Sequence, residues 1–403
     1  MMSLRILLLA TIVAMPLGAR AQPIEPPQIS ERDFVERVLA GSPRLDVIAA
    51  RIETARAEIA DARVRPNPSL SVDREAVAGV AESYARLALP LDLSGRRGLR
   101  VRAAEHGVAA AQAESELDRE LLVIDALDLY YDAAWLRLRA RTLRDSRAAL
   151  AKLVDVIRAR KTAGESSGYD LERLELELAQ YDDTIVDADV ELGVARRRLA
   201  VLAGARDAQL DASDPLDTAP VPGVDAAAVV RARGDHRGAL LRVEQAEREL
   251  AAARRAWIPS IVLSGGLKTS EASDVGVGYV AGLSLELPVF DRAQGARARS
   301  VARIREQRAE ARAIERDVTL ALSAAADELA RRASQLAAYR QGPVARVPSL
   351  LRRAEVTYRE GDRPIVELLD AYRAARDVAL RELELRHLAK RAELRLVRAR
   401  GHR

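Results

Sequence analysis

The chain has 403 residues, and its 64 Lys and Arg nearly cancel its 60 Asp and Glu. The absence of cysteine excludes disulfides, thiolate metal centres and a lipid-modified N-terminal Cys. Aromatic residues make up 3% and charged residues 31%, a balance that suits long helices packed along narrow seams better than a large globular core. Only four of the basic residues are Lys. The many Arg read as i,i+4 partners on solvated helix faces, with no nucleic-acid partner expected.

Arg5, the apolar run Ile6 to Leu17 and Ala19-Arg20-Ala21 read as a secretory signal over residues 1–21, too short to be a retained spanning helix. Beyond it, no stretch approaches the ~20 consecutive apolar residues that a membrane helix needs. A Pro-rich lead (Pro23, Pro26, Pro27) precedes a helical stretch over about 31–62, interrupted at Gly41-Ser42-Pro43. Pro66 and Pro68 end that stretch, because proline removes a donor and pushes its predecessor toward an extended conformation.

Two alternating segments follow. Over 69–77, Leu70, Val72, Arg74 and Ala76 share one face; over 83–91, Ala85, Leu87, Leu89 and Leu91 do the same, with Gly79 in the connection. From Arg96 to Arg160 no proline intervenes, which predicts a rod of roughly 100 Å at 1.5 Å per residue. It turns near Gly164 and returns from about Asp170 to Leu202, in a hairpin with its tip near 164–169. Asp125, Asp128 and Asp132 form an acidic stripe on the outgoing rod, readable as a wet helix face or as a channel lining.

The same order then recurs. Pro68 returns as Pro259, Pro90 as Pro288 and Gly164 as Gly361, at offsets of 191, 198 and 197 residues. The expected architecture is mainly α with a small β part, a duplicated repeat of two strands and a long helical hairpin. The first repeat spans 22–210, a polar linker 211–224 and the second repeat 225–403. The second pair of strands falls at about 260–268 and 277–287, and its hairpin tip at 361–364. Gly342-Pro343 and Pro348 are expected to break or kink the second outgoing rod.

Segments of 9–11 residues are long enough for a tilted strand to cross a bilayer. Four strands cannot close a barrel of useful width, and an open sheet edge is forbidden in lipid, so spanning requires several chains to pool strands. Three copies would give twelve. The bland alternative is a soluble hairpin in each half. No nucleophile–base pair, phosphate loop or cofactor fingerprint is present, so neither an enzyme nor a cofactor is expected. His106, His236, His387 and His402 are scattered and offer no ligand set. Trp257, just before Pro259, suits an interfacial anchor or a packed junction.

The segment Tyr358-Arg-Glu-Gly361-Asp-Arg363-Pro-Ile-Val-Glu367-Leu-Leu-Asp370-Ala resembles the C-terminal signature of the TolC-like outer-membrane efflux family. Leu285-Glu-Leu-Pro288-Val-Phe-Asp291 and Leu89-Pro-Leu-Asp-Leu-Ser-Gly-Arg-Arg97 are similar to its two strand-to-helix junctions. The resemblance covers essentially the whole chain after the signal. It implies a homotrimer, with a twelve-stranded barrel in outer-membrane lipid continued by a periplasmic helical barrel. Its implied partners are a periplasmic adaptor and an inner-membrane transporter of the RND type. It also implies that Glu367 and Asp370 form an acidic ring at the periplasmic gate, and that Tyr358 and Arg363 lock the gate against Asp170. Gly164 and Gly361 take the hairpin-tip turns. The chain departs from the family pattern at Gly168-Tyr169. Ser94-Gly95-Arg96-Arg97 and Asn67-Pro68 are similar to the heavy-metal branch, so the expected function is a passive exit duct for metal cations, drugs or small toxic organics. The rival readings are a type I protein-secretion duct and a soluble periplasmic coiled-coil adaptor.

Overall fold

The structure, a computed structural model, describes residues 26–77, 80–164, 167–205, 209–219, 223, 225–271 and 276–402. The signal segment 1–21 lies outside the described residues.

A two-residue strand β1 (Gln28–Ile29) leads into α1 (Glu31–Gly41), whose first turn is capped by Ser30, its Oγ accepting from the Asp33 N–H at 3.2 Å. Pro43 opens α2 (Pro43–Arg63), where its missing N–H costs nothing. Next come β2 (Ser69–Val77), β3 (Val80–Leu91), the 67-residue helix α3 (Arg96–Thr162) and its return partner α4 (Gly168–Leu202). A second short strand, β4 (Asp211–Ala212), precedes the other repeat. That repeat contains α5 (Ala226–Ala232), α6 (Gly234–Arg254), β5 (Ser260–Ser270), β6 (Val277–Glu286), α7 (Gln294–Tyr339), α8 (Ala345–Arg359) and α9 (Ile365–Arg400).

The duplication extends to the strand-to-helix corners. Gly95 before α3 has φ 68°, and Ala293 before α7 holds the same left-handed conformation at φ 57°. Glycine adopts it freely, whereas a Cβ carries a cost of roughly 1–2 kcal/mol. The expected break or kink at Gly342-Pro343 coincides with a local change of helix type. Arg340–Val344 form a single wide π turn around Pro343, and the helix resumes at once as α8.

The four long strands make one antiparallel sheet in the order β2-β3-β5-β6. The central joint pairs Glu82 with Ser270 through to Leu91 with Ile261, so the two repeats meet edge to edge. Among the described residues, nothing pairs with the outer edges of β2 and β6.

Helix packing also crosses between repeats. At Gly234 on α6, a Cβ would come within 2.0 Å of the Ala113 carbonyl oxygen of α3; only a glycine permits that approach. The acidic stripe on α3, partly solvated, is paired with side chains of α9. Asp125 accepts from Arg398, Asp128 lies 3.5 Å from Arg391, and Asp132 lies 2.7 Å from His387 Nε2, all on α9.

Residues 211–219, expected as linker, hold the middle of the molecule together. β4 pairs in parallel with β1, and Asp211 takes a bidentate bond from Arg196 at 2.7 Å. Beneath them Tyr130 is fully buried against Phe34. Its hydroxyl lies 2.5 Å from the Asp214 carboxylate and 2.9 Å from the Ile29 carbonyl, and accepts the Ser213 and Asp214 N–H groups at 3.1 and 3.3 Å. One side chain thus ties α3 to both short strands. Burial, reinforced by the Asp214 carboxylate, pushes this phenol well above its ordinary range, which keeps it a donor. Tyr130→Phe strands these partners in a dry site and is expected to lower folding stability by about 1–3 kcal/mol, read as a fall in the heat-unfolding midpoint of purified protein. An unchanged midpoint would show that the hydroxyl web contributes nothing net.

Candidate functional site

The sheet has two chemically distinct faces. The register places Leu91, Ile261 and Leu285 in one cross-strand row, then Leu89, Leu263 and Leu283, then Leu70, Leu87 and Ala281, then Val72, Ala85, Leu267 and Tyr279. These four rows cover about 20 Å at ~3.4 Å per residue. All lie on one face, and most of their large side chains are exposed. Aromatic rings flank the band: Tyr279 (88% exposed) in its last row, and Trp257 and Phe290 (92% exposed) beyond its first. Above the band, Arg74 reaches Glu271 at 3.1 Å. The opposite face is polar. There Lys268 lies 2.8 Å from Glu82, and the Tyr84 hydroxyl donates to the same carboxylate at 2.6 Å. An apolar band between aromatic girdles, backed by a polar face, is the surface pattern of a strand wall between lipid and water.

At the far end of the helices, the tips of both hairpins share an apolar cluster. Leu150, Val154 and Ile157 of α3, Leu171 and Leu174 of α4, and Ile365, Leu368 and Leu369 of α9 are buried in it. Both turns are closed by left-handed glycines, Gly164 at φ 78° and Gly361 at φ 81°. The Gly361 N–H bonds the Tyr358 carbonyl and the Asp362 N–H the Thr357 carbonyl, which satisfies the last acceptors of α8.

Glu367 and Asp370 lie on the first turns of α9 with half or more of each side chain exposed, 50% and 62%. Arg363 donates to Glu367 at 3.0 Å, and Arg373, mainly bonded elsewhere, reaches Asp370 with NH1 alone at 3.4 Å. Tyr358 packs against the tip cluster with the Arg160 guanidinium 5.7 Å from its ring. The Asp170 N–H donates to its N-cap, Ser167 Oγ, at 3.2 Å. Among the described residues, no bond joins Asp170 to Arg363 or Tyr358 within one chain; Arg363 pairs with Glu367 instead. Tyr169 stands largely exposed beside Arg173, 3.3 Å from its NH1.

Sequence reasoning missed Glu177, a carboxylate only 3% exposed on α4. Arg373 grips it with Nε at 3.0 Å and NH2 at 2.5 Å, and Arg376 lies 3.9 Å away, stacked over Tyr181 at 5.0 Å. The Glu177 hydrogen bond is the main cause that raises the Arg373 guanidinium above its ordinary range. The available signal was the repeat itself: Glu177 and Arg373 are 196 residues apart, close to the duplication offset. Among the described residues, no helix is long and apolar enough to cross a membrane, and no group of three or more His, Cys, Asp or Glu could hold a metal ion.

A duplicated four-stranded sheet, drawn out into two antiparallel helical hairpins, defines the fold class of the chain. The profile of the outer membrane efflux protein family matches residues 34–205 and 233–402, and the chain belongs to that family. It is 25% identical over 264 residues to the cobalt-zinc-cadmium resistance protein CzcC of Cupriavidus metallidurans, covering 62% of this chain and 61% of that protein. It is 27% identical over 277 residues to the nickel-cobalt-cadmium resistance protein NccC of Alcaligenes xylosoxydans xylosoxydans, covering 64% and 61%. The matches thus span about three-fifths of the length of these two relatives. Among solved structures, CusC superposes with a TM-score of 0.78 at 18% identity, covering 93% of this chain and 92% of CusC. The open-state MtrE channel of Neisseria gonorrhoeae gives 0.77 at 18%, covering 92% and 89%.

Tyr372 provides a titration test of the tip. Its hydroxyl donates to Glu355 of α8 at 2.8 Å, and burial first, then that carboxylate, push its phenol up to about 12. The folded state therefore favours the neutral phenol. That contribution is complete below about pH 10 and is lost as pH rises from about 10 to about 12. Across that window the heat-unfolding midpoint of the parent protein should fall more than that of Tyr372→Phe; parallel curves would contradict the buried donor.

Proposed function

We propose that the protein is the outer-membrane exit duct of a tripartite efflux system, passively conducting substrates delivered by an inner-membrane pump through a periplasmic adaptor. The observation that carries this reading is the sheet: an apolar band between aromatics on one face, polar groups on the other, and an unpaired edge at each end. Unpaired backbone groups cannot remain in hydrocarbon, so the β6 edge of one copy must pair with the β2 edge of the next until the wall closes. Three copies supply twelve strands, an even number within the range of such barrels. The 67 residues of α3 would reach about 100 Å beyond them, toward a periplasmic adaptor and an RND-type transporter.

Metal cations are the favoured cargo class. Support comes from the names of the relatives, which are resistance proteins for cobalt, zinc, cadmium and nickel and a cation efflux system protein. A duct need not bind what it passes. Its charge requirement falls at the entrance, where three copies of Glu367 and Asp370 around an axis would form an acidic ring. In this reading Arg363 masks part of that ring, and Arg363 with Tyr358 helps hold the entrance narrow beside the Asp170 turn.

Purified protein should migrate as a heat-modifiable trimer and form pores in planar bilayers; a detergent-soluble monomer without pore activity would end the reading. In a salt gradient, Glu367→Gln combined with Asp370→Asn should move the reversal potential toward zero, and an unaltered value would discard the acidic ring. Arg363→Ser with Tyr358→Phe should raise both cation preference and single-channel conductance. Unchanged conductance would discard their part in narrowing the entrance.

A further inference from the structure

Glu177 is a buried charge that the duct reading leaves unused, and its partners point to a role. We infer that Glu177 is a positioning residue for selectivity: by gripping Arg373 from the buried side, it stops that guanidinium from neutralising Asp370. The inference rests on the reading of Glu367 and Asp370 as the entrance ring.

Arg373 stands between two carboxylates of unequal strength. Toward Glu177 it presents Nε and NH2 in a bidentate fork at 3.0 and 2.5 Å, against a carboxylate 3% exposed. Toward Asp370 it presents NH1 alone at 3.4 Å, against a side chain 62% exposed. A two-pronged bond in a dry site outweighs a single long one screened by water. Arg373 is therefore committed to Glu177, and Asp370 keeps most of its negative charge facing solvent. The other charges nearby do not replace this arrangement. Arg376 lies 3.9 Å from Glu177, but it is also held over Tyr181 and bonded to Asp377 at 2.9 Å. Arg363 is occupied by Glu367. In the lower part of the hairpins, the Glu177–Arg373 bond also crosses from α4 to α9, so one contact fixes both the helix pair and the charge of the ring.

Removal of the Glu177 charge leaves Arg373 with Asp370 as its remaining carboxylate. Glu177→Gln keeps the shape of the side chain and is expected to reduce cation preference in bilayers to that of Asp370→Asn. The double variant Glu177→Gln/Arg373→Gln removes both charges of the pair and should restore the preference of the parent. A purely structural role predicts the opposite, a double variant as impaired as the single one or more so. Carbodiimide labelling of Asp370 in detergent-solubilised protein, followed by mass spectrometry, reads the same pairing without any pore. Labelling should slow in Glu177→Gln and recover in the double variant. Parent-like labelling and selectivity in Glu177→Gln would overturn the inference, as would a double variant that fails to recover. If the parent protein forms no pore, the duct reading falls, and the labelling series still decides whether Glu177 holds Arg373 away from Asp370.

Discussion

An unpaired strand edge has nowhere to go in hydrocarbon, and in the proposed duct that constraint governs the rest of the molecule. The four long strands carry leucine, isoleucine, valine, alanine and Tyr279 on one face and Glu82, Tyr84 and Lys268 on the other. Such a wall is stable only where water lies on one side and apolar matter on the other, and only when its edges meet partners. The helical part answers to the same demand. Its hairpins pack along the axis that the sheet sets, because β3 runs into α3 and β6 into α7 through corners built alike.

The helices combine two kinds of contact with different tasks. Rungs such as Arg147–Asp182 at 2.5 Å and Arg158–Glu175 at 3.0 Å link α3 to α4 on solvated faces, where a pair is worth roughly 0–1 kcal/mol. They fix register more than they add stability. The seam beneath them, with Leu150, Val154, Ile157, Leu171 and Leu174 buried, supplies the larger share at about 1.5–3 kcal/mol for a fully buried side chain. The high arginine content finds its use in these rungs and in the α9 ladder, where Arg391 and Arg398 meet Asp128 and Asp125.

Much of the fold could be read from the sequence because its signals are periodic. Alternation over Ser69–Val77 and Val277–Glu286 shows through wherever one face is apolar and the other polar, and prolines mark where helix gives way to strand. The recurrence of Pro68, Pro90 and Gly164 exposed the duplication. What stayed hidden depends on contacts between distant segments. Asp211 and Tyr130 look unremarkable locally, and only the folded chain brings Arg196, Ile29 and Asp214 onto them. At the tip, the motif around Gly361 located Glu367, Asp370 and Arg363, but neither the pairing of Arg363 with Glu367 nor Arg373 as a neighbour of Asp370. A motif fixes positions along one helix, whereas the grip of Arg373 on Glu177 depends on how two helices cross. The same limit applies to the α3 acidic stripe, whose spacing was visible but whose partners on α9 were not.

The two repeats are not mechanically equal. In the first, a single unbroken helix of 67 residues runs from the sheet to the tip; in the second, the π turn at Arg340–Val344 separates α7 from α8, a 15-residue segment with no buried residue. The missing N–H of Pro343 and the wide turn around it leave fewer regular rungs at that point than anywhere along α3. One repeat thus serves as a stiff strut and the other as a jointed limb. A shape change imposed at the stalk's lower end would be taken up by the limb that carries Gly361 and Glu367, while the strut keeps the sheet in place.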